Sequence, residues 1–190
     1  MFSSGVVAVS GSRSLSAGQV AQVREVVRGL AAAGCRFVVG CATGADEIAL
    51  ACMPPSACRV FAAFGPGGAG ACRWSAVESV SHIREAGGSV SWWAGGGPSV
   101  PLHARLAART AAVAAAGSTG LVAFFASPAS RGTALACRLA ASRGVPVVAF
   151  PLGFSGAALP SLGVGQWLPC RDPGIWSASC VWSPAQGVLL

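Results

Sequence analysis

Three residue types are missing from this chain of 190 residues, which contains no lysine, no tyrosine and no asparagine. The missing lysine excludes both the lysine of a P-loop and a Schiff-base lysine, and the missing tyrosine excludes a tyrosine general acid. All thirteen residues counted as lysine or arginine are therefore arginines. An anion must be bound by guanidinium groups, hydroxyls or backbone N–H groups.

Charged residues are scarce, at 10% of the chain, whereas 53% of the residues are hydrophobic. This composition is too apolar for a disordered chain and is typical of a protein with a buried parallel sheet. The formal net charge is +7, and only six residues are acidic. This balance favours an anionic partner, which leaves a nucleotide, a nucleic acid and an anionic membrane open.

Long uninterrupted apolar segments are also lacking. Two uncharged runs, 110–130 and 144–170, are broken by glycine and proline residues, whereas a membrane-spanning helix needs ~20 continuous apolar residues. The N-terminus leads directly into a strand pattern and has no signal-peptide cleavage site. We therefore expect no membrane segment and a cytoplasmic location.

The eight cysteines contain no C-x-x-C pair, which is the spacing that indicates a metal or redox site. The pattern predicts reduced thiols that pack as small apolar side chains. A zinc site that uses Cys58, Cys72, His82 or His103 is disfavoured, because ligand pairs with tight spacing are absent. No metal is expected.

Short apolar strand patterns alternate with helical patterns along most of the chain. Strands are predicted at 6–9, 37–39, 59–64, 89–93, 120–125 and 145–150, and helices at 16–33, 46–52, 75–86, 102–116 and 133–142. This alternation indicates βαβ units, whose right-handed crossovers place helices on both faces of the sheet. We predict a Rossmann-like, doubly wound α/β domain with a mainly parallel sheet over residues 1–150.

The remaining residues, 151–190, are rich in glycine, proline and serine and have no periodic pattern. We expect an irregular C-terminal extension that runs over the surface. Its tryptophans, Trp167, Trp176 and Trp182, are expected either to cover the edge of the core or to bind a partner.

Three glycine-containing loops follow predicted strands, namely Gly11-Ser12-Arg13, the segment 40–46 and the segment 127–133. In doubly wound sheets the ligand lies at the carboxyl ends of the strands, near the point where the strand order reverses. Glycines allow a ligand to approach the backbone closely, and hydroxyls, arginines and helix N-termini bind phosphate oxygens. The loops together predict one cleft that accepts a phosphate-bearing ligand.

The order of these motifs resembles the SLOG superfamily, which includes DprA/Smf recombination mediators, LOG-type phosphoribohydrolases and small stand-alone nucleotide-binding proteins. The small stand-alone type is the most similar. The resemblance extends over residues 5–150. The matching segments are 9–13, 39–46, Arg105 with Arg109-Thr110, 130–134 and 144–147.

The resemblance implies a nucleotide-derived ligand or, in the DprA branch, single-stranded DNA. Two positions depart from the family pattern, because Thr110 replaces an asparagine and Cys41 replaces a glycine. The catalytic glutamate of the LOG hydrolases would fall near Leu135 or Ala136, and neither can act as an acid or base. The predicted ligand-binding residues are Gly11, Ser12, Arg13, Gly40, Thr43, Gly44, Ala45, Asp46, Arg105, Arg109, Ser127, Ser130, Arg131, Gly132 and Thr133.

Three functions remain open from the sequence. The first is non-catalytic binding or sensing of a nucleotide or a related phosphate ligand, and we favour it here. The second is DprA-like binding of single-stranded DNA, in which bases stack on tryptophans beside arginines; the candidate tryptophans are Trp74, Trp92, Trp93 and Trp167. The third is a nucleotide-processing hydrolase or transferase with Asp46 as its catalytic group. No cofactor other than the nucleotide ligand is expected, and a homo-oligomer is left open.

Overall fold

The computed structural model describes residues 2–185, which form alternating strands and helices. The strands are β1 (Gly5–Gly11), β2 (Cys35–Val39), β3 (Cys58–Phe61), β4 (Ser89–Ser91), β5 (Gly120–Phe125), β6 (Val147–Pro151), β7 (Gly165–Pro169) and β8 (Cys180–Pro184). The helices are α1 (Ala17–Ala32), α2 (Ala45–Cys52), α3 (Trp74–Glu85), α4 (Leu102–Ala116) and α5 (Arg131–Ala141).

The strands form one eight-stranded sheet in the order β4-β3-β2-β1-β5-β6-β8-β7. Strands β1 to β6 pair in parallel, and β1 lies between β2 and β5. The strand order therefore reverses between β1 and β5, where a doubly wound sheet opens a crevice at its carboxyl edge. The predicted α/β, Rossmann-like fold is confirmed.

Helices cover both faces of the parallel sheet because successive strand residues point to opposite sides. In β1, Val7 and Val9 pack with α1, α2 and α3, whereas Ala8 packs with α4 and α5 on the other face. Helix α1 begins with a capping box, in which Ser16 and Gln19 bond each other's backbone N–H groups. Its apolar stripe, which includes Val23 and Val27, is buried against the sheet.

The C-terminal segment is more regular than the sequence predicts. Strand β8 pairs antiparallel with β6, and β7 pairs antiparallel with β8, so both strands extend the same sheet. The expectation of irregular structure is wrong for these strands. The side chains of β7 are largely exposed, and the two buried residues of β8, Cys180 and Trp182, form too short a pattern to indicate a strand. The division of the chain after residue 150 stays a prediction, and residues 186–190 lie outside the described part.

Buried cysteines occur on both faces of the core, as the sequence predicts for small apolar packing residues. Cys35, Cys41, Cys58, Cys137 and Cys180 are buried, Cys52 and Cys170 are half-buried, and Cys72 is exposed. Burial raises the pKa of the Cys58 thiol to about 11. Within residues 2–185, no cluster of three histidine, cysteine or acidic residues could hold a metal ion.

These differences predict selective alkylation of the native protein. The thiolate is the reactive species, so we expect iodoacetamide at pH 8 to label Cys72 first and to leave Cys58 unmodified until the chain unfolds. Peptide mapping after timed quenching measures the two rates, and the same reaction in urea provides the unfolded control. Equal labelling of both residues in the native protein would contradict the packing described here.

In the described part of the chain, no helix has both the length and the apolar character needed to cross a membrane.

Candidate functional site

A cleft of about 580 Å³ lies at the carboxyl ends of β1 and β5, where the strand order reverses. We call it the polar cleft. The loop after β1 forms one wall, and the loop from β5 into α5 forms the other. Its lining residues are Ser10, Gly11, Ser12, Arg13, Ser14, Ala42, Asp46, Arg109, Thr110, Ala126, Ser127, Ser130, Arg131, Gly132 and Thr133.

Ser12 joins the loops that form this cleft. Its hydroxyl accepts a hydrogen bond from the backbone N–H of Ala126 at 2.9 Å and shares another with the hydroxyl of Ser130 at 2.8 Å. Its backbone carbonyl accepts a hydrogen bond from Ala45 N–H at 3.1 Å, at the start of α2. The hydroxyl that the sequence assigns to a ligand therefore holds the walls of the cleft together.

A buried ion pair forms part of the lining of the polar cleft. Arg109 of α4 donates from Nη1 to Oδ2 of Asp46 at 3.0 Å, and the same oxygen accepts from Ala42 N–H at 3.2 Å. Burial raises the pKa of the Asp46 carboxyl, and the adjacent guanidinium opposes that rise. Arg109 Nε–H is buried and has no hydrogen-bond partner within residues 2–185. The pair connects α4 to α2 and leaves the guanidinium with unused hydrogen-bonding capacity.

Two glycines of the site are required by packing. A Cβ at Gly40 would overlap the guanidinium of Arg109 and the carboxylate of Asp46. Gly44 has a φ of +79°, and a Cβ there would contact the carbonyl oxygens of Ser12 and Arg13. The sequence assigns these glycines to close approach of a ligand, but the structure shows that other parts of the protein occupy that space.

Positive charge and free helical N–H groups face the open part of the polar cleft. Arg13 and Arg131 are exposed, and both line the cleft. Arg131 is also the first residue of α5, whose first turn carries no acidic residue. The first N–H groups of a helix have no partner within the helix and carry partial positive charge. This wall is suited to bind the oxygens of a phosphate group.

A second, larger cleft of about 810 Å³ adjoins the first. We call it the apolar cleft. It shares Arg13, Ser14 and Ala42 with the polar cleft, so the two are continuous. Its apolar lining residues include Leu15, Val20, Ile48, Ala51, Leu102 and Leu106. Besides Arg13, the charged residues that line it are Arg24, Arg73 and Glu47. The sequence analysis did not predict this cleft, because its walls come from four helices whose packing no local motif indicates.

The predicted ligand-binding residues separate into three groups in the structure. Most line the polar cleft, whereas Thr43 and Gly44 line the apolar cleft. Gly40 and Ala45 are buried and line neither cleft. Arg105 also lines neither cleft, since its guanidinium donates to Ala63 O at 3.0 Å and lies over the Trp93 ring at 5.2 Å. Arg105 is thus used within the fold, contrary to the sequence-based assignment.

Of the four tryptophans proposed for base stacking, three pack against the protein. Trp92 contacts Phe64, Trp93 lies beside Arg105, and Trp167 packs against Trp182. Trp74, by contrast, exposes 67% of its surface. In the C-terminal segment, Trp176 and Trp182 are buried and cover the core edge.

The fold defines a Rossmann-like, doubly wound domain with a polar crevice at its strand switch. The sequence model of the family described as DNA recombination-mediator protein A matches residues 1–158. The chain belongs to this family. No curated protein sequence matches it.

Two solved structures support the assignment of the fold. DNA processing protein A from Helicobacter pylori, described for its single-stranded DNA binding mode, is 20% identical with a TM-score of 0.59, and the match covers 79% of this chain and 67% of that one. DNA processing protein A from Streptococcus pneumoniae is 23% identical with a TM-score of 0.60, and the match covers 82% of this chain. The present chain spans about half of that protein, at 53% of its length.

The family match corrects the function favoured from the sequence. Binding or sensing of a nucleotide ligand, as the main function, is wrong, because the matching family is one of DNA recombination mediators. The alternative that the sequence left open, a DprA-like protein, agrees with the match. Glycine loops, hydroxyls and arginines bind a phosphate in either molecule, so these motifs alone do not distinguish a nucleotide from a strand of DNA.

Proposed function

We propose that this chain binds single-stranded DNA as a recombination mediator, with the sugar–phosphate backbone lying along the polar cleft. The observation that carries the proposal is that Arg13 and Arg131, from the two separate loops of the polar cleft, both line it, and that Arg131 begins α5. Both guanidinium groups are exposed. Neighbouring phosphates of a strand can therefore be bound from both sides.

The cleft suits the phosphates of a strand, and the charge of the whole chain favours a polyanion. Contacts to phosphate position a strand without reading its sequence, and arginine contacts supply most of the non-specific affinity. The net charge of +7 adds long-range attraction for a polyanion. The Helicobacter pylori protein has the same fold and is described for its single-stranded DNA binding mode, which supports single-stranded DNA as the ligand.

The proposed role needs no catalytic group. The Asp46 carboxylate is buried and bonded to Arg109 and to Ala42 N–H, an arrangement that suits it to hold α2 and α4 together.

A cytoplasmic location is part of the proposal, since a recombination mediator acts where the DNA is.

Fluorescence anisotropy of a labelled twenty-nucleotide thymidine strand tests this function. We expect saturable binding that unlabelled single strand displaces, while thymidine monophosphate at the same nucleotide concentration does not. A duplex of equal length should compete more weakly, because its bases are stacked and its phosphates are spaced differently. Absence of binding, or equal competition by the monophosphate, would contradict the proposal.

A further inference from the structure

Trp74 differs from every other tryptophan of the described segment in its exposure. It exposes 67% of its surface at the first position of α3, whereas Trp176 and Trp182 are buried and Trp92, Trp93 and Trp167 are half-buried. A single exposed apolar side chain is common on protein surfaces, but tryptophan is enriched where proteins bind a partner. Its surroundings indicate what that partner is.

Trp74 lies next to the apolar cleft along the chain, although it is not itself one of the lining residues. Its two chain neighbours, Arg73 and Ser75, both line that cleft. The indole lies near Gly68, which has a φ of +84° and belongs to the glycine-rich loop before α3. An exposed aromatic side chain thus belongs to the segment 73–75, which borders a cleft lined by aliphatic side chains and by Arg13, Arg24 and Arg73.

The two clefts together match the two halves of a nucleotide. The polar cleft presents hydroxyls, helical N–H groups and arginine, and the apolar cleft presents aliphatic side chains such as Leu15, Ile48 and Leu106. They meet at Arg13, Ser14 and Ala42. A strand whose phosphates lie in the first cleft therefore has its bases next to the second.

The charge around the apolar cleft also suits a nucleic acid. Arg13, Arg24 and Arg73 line it, and they outnumber Glu47, the one acidic residue among its lining residues. A neutral apolar peptide would gain nothing from this excess of positive charge. In a segment of single-stranded DNA, the bases can contact the aliphatic side chains while the arginines attract the phosphates.

We propose that the apolar cleft receives unpaired bases of the single strand, and that Trp74 stacks on a base at its rim. The proposal rests on the proposed function and specifies how the strand is oriented within it. Every base has an aromatic face, so stacking of this kind does not depend on the sequence of the strand. It does require that a base be present and unpaired.

The test compares two strands that share a backbone and differ only in their bases. One is a twenty-nucleotide thymidine strand, and the other carries abasic tetrahydrofuran units throughout. We expect the wild-type protein to bind the thymidine strand about tenfold more tightly than the abasic strand, since base–aromatic stacking contributes on that scale. Trp74→Ala should abolish most of this preference, and Trp74→Phe should retain it.

Two further variants serve as controls. Arg131→Ala should weaken binding of both strands by the same factor and leave the preference for bases intact. Val164→Ala, which alters an exposed apolar residue outside both clefts, should change neither affinity. Thermal unfolding of each variant verifies that the fold persists, as expected for an exposed side chain. Quenching of tryptophan fluorescence by the thymidine strand gives a second readout, which Trp74→Phe should reduce.

The outcomes distinguish the inference from the function on which it rests. If the wild-type protein binds neither strand, the proposed function fails and the inference fails with it. If it binds both strands equally, and Trp74→Ala changes neither affinity nor quenching, the strand orientation proposed here is wrong while DNA binding stands.

Discussion

Replacing Arg109 by leucine should lower the free energy of unfolding by about 3–5 kcal/mol, the usual cost of leaving one buried charge without its partner. The variant removes the 3.0 Å bond to Asp46 and leaves that carboxylate buried, with only Ala42 N–H still bonded to it. Equilibrium unfolding in urea measures the loss. Because Asp46 lies in the first turn of α2 and Arg109 lies on α4, the loss of the ion pair should weaken the packing of these two helices beside the polar cleft.

The control for this prediction is Arg28→Leu, which removes the same charge from an exposed position of α1. Exposed substitutions of this kind usually change stability by no more than about 0.5 kcal/mol. The double variant Asp46→Ala/Arg109→Leu should be more stable than the sum of the single losses predicts, since neither charge remains unpaired. Equal stability of the Arg109→Leu and Arg28→Leu variants would contradict the structural role of the pair.

Removing both exposed arginines of the polar cleft should reduce affinity for single-stranded DNA by at least about tenfold, or about 1.4 kcal/mol. Arg13→Ala/Arg131→Ala leaves the buried pair untouched and deletes the two guanidinium groups that face the open cleft. Each lost arginine–phosphate contact should also reduce the slope of log K against log salt by about 0.7 for a single strand. Anisotropy titrations between 50 and 300 mM NaCl, roughly the range where such contacts are sensitive to salt, measure both quantities.

The matched control is Arg28→Ala/Arg36→Ala, which lowers the net charge by the same amount at exposed positions that line neither cleft. This variant should retain nearly all of the affinity and the salt slope. Equal losses in the two double variants would mean that overall charge, rather than the polar cleft, attracts the strand.

Much of the fold could be predicted from the chain because its local signals agree with one another. Apolar strand patterns alternate with helical ones, and the predicted bounds of α4 and β5 coincide with those of the structure. The sequence analysis did not find β7 and β8, which form strands because β8 pairs with β6 and β7 pairs with β8. β7 is largely exposed, and in β8 only Cys180 and Trp182 are buried, which is too short an alternation to stand out among the surrounding glycines and prolines.

The candidate site was predictable only in part. The loops after β1 and β5 meet because the carboxyl ends of parallel strands share one edge of the sheet, which the fold alone implies. The internal use of Ser12 and Arg105 was not predictable, because a hydroxyl or guanidinium looks the same in sequence whether it meets a ligand or a backbone group. The apolar cleft depends on how four helices pack, and no motif encodes that.

Hydrogen exchange with mass spectrometry, with and without a saturating twenty-nucleotide thymidine strand, tests the central claim most directly. The polar cleft predicts that bound DNA slows exchange in the segments 10–14 and 126–134, which form its two walls. Exchange in β7 and β8, on the distant edge of the sheet, should stay the same. Slower exchange at that edge, with both cleft segments unaffected, would contradict the account.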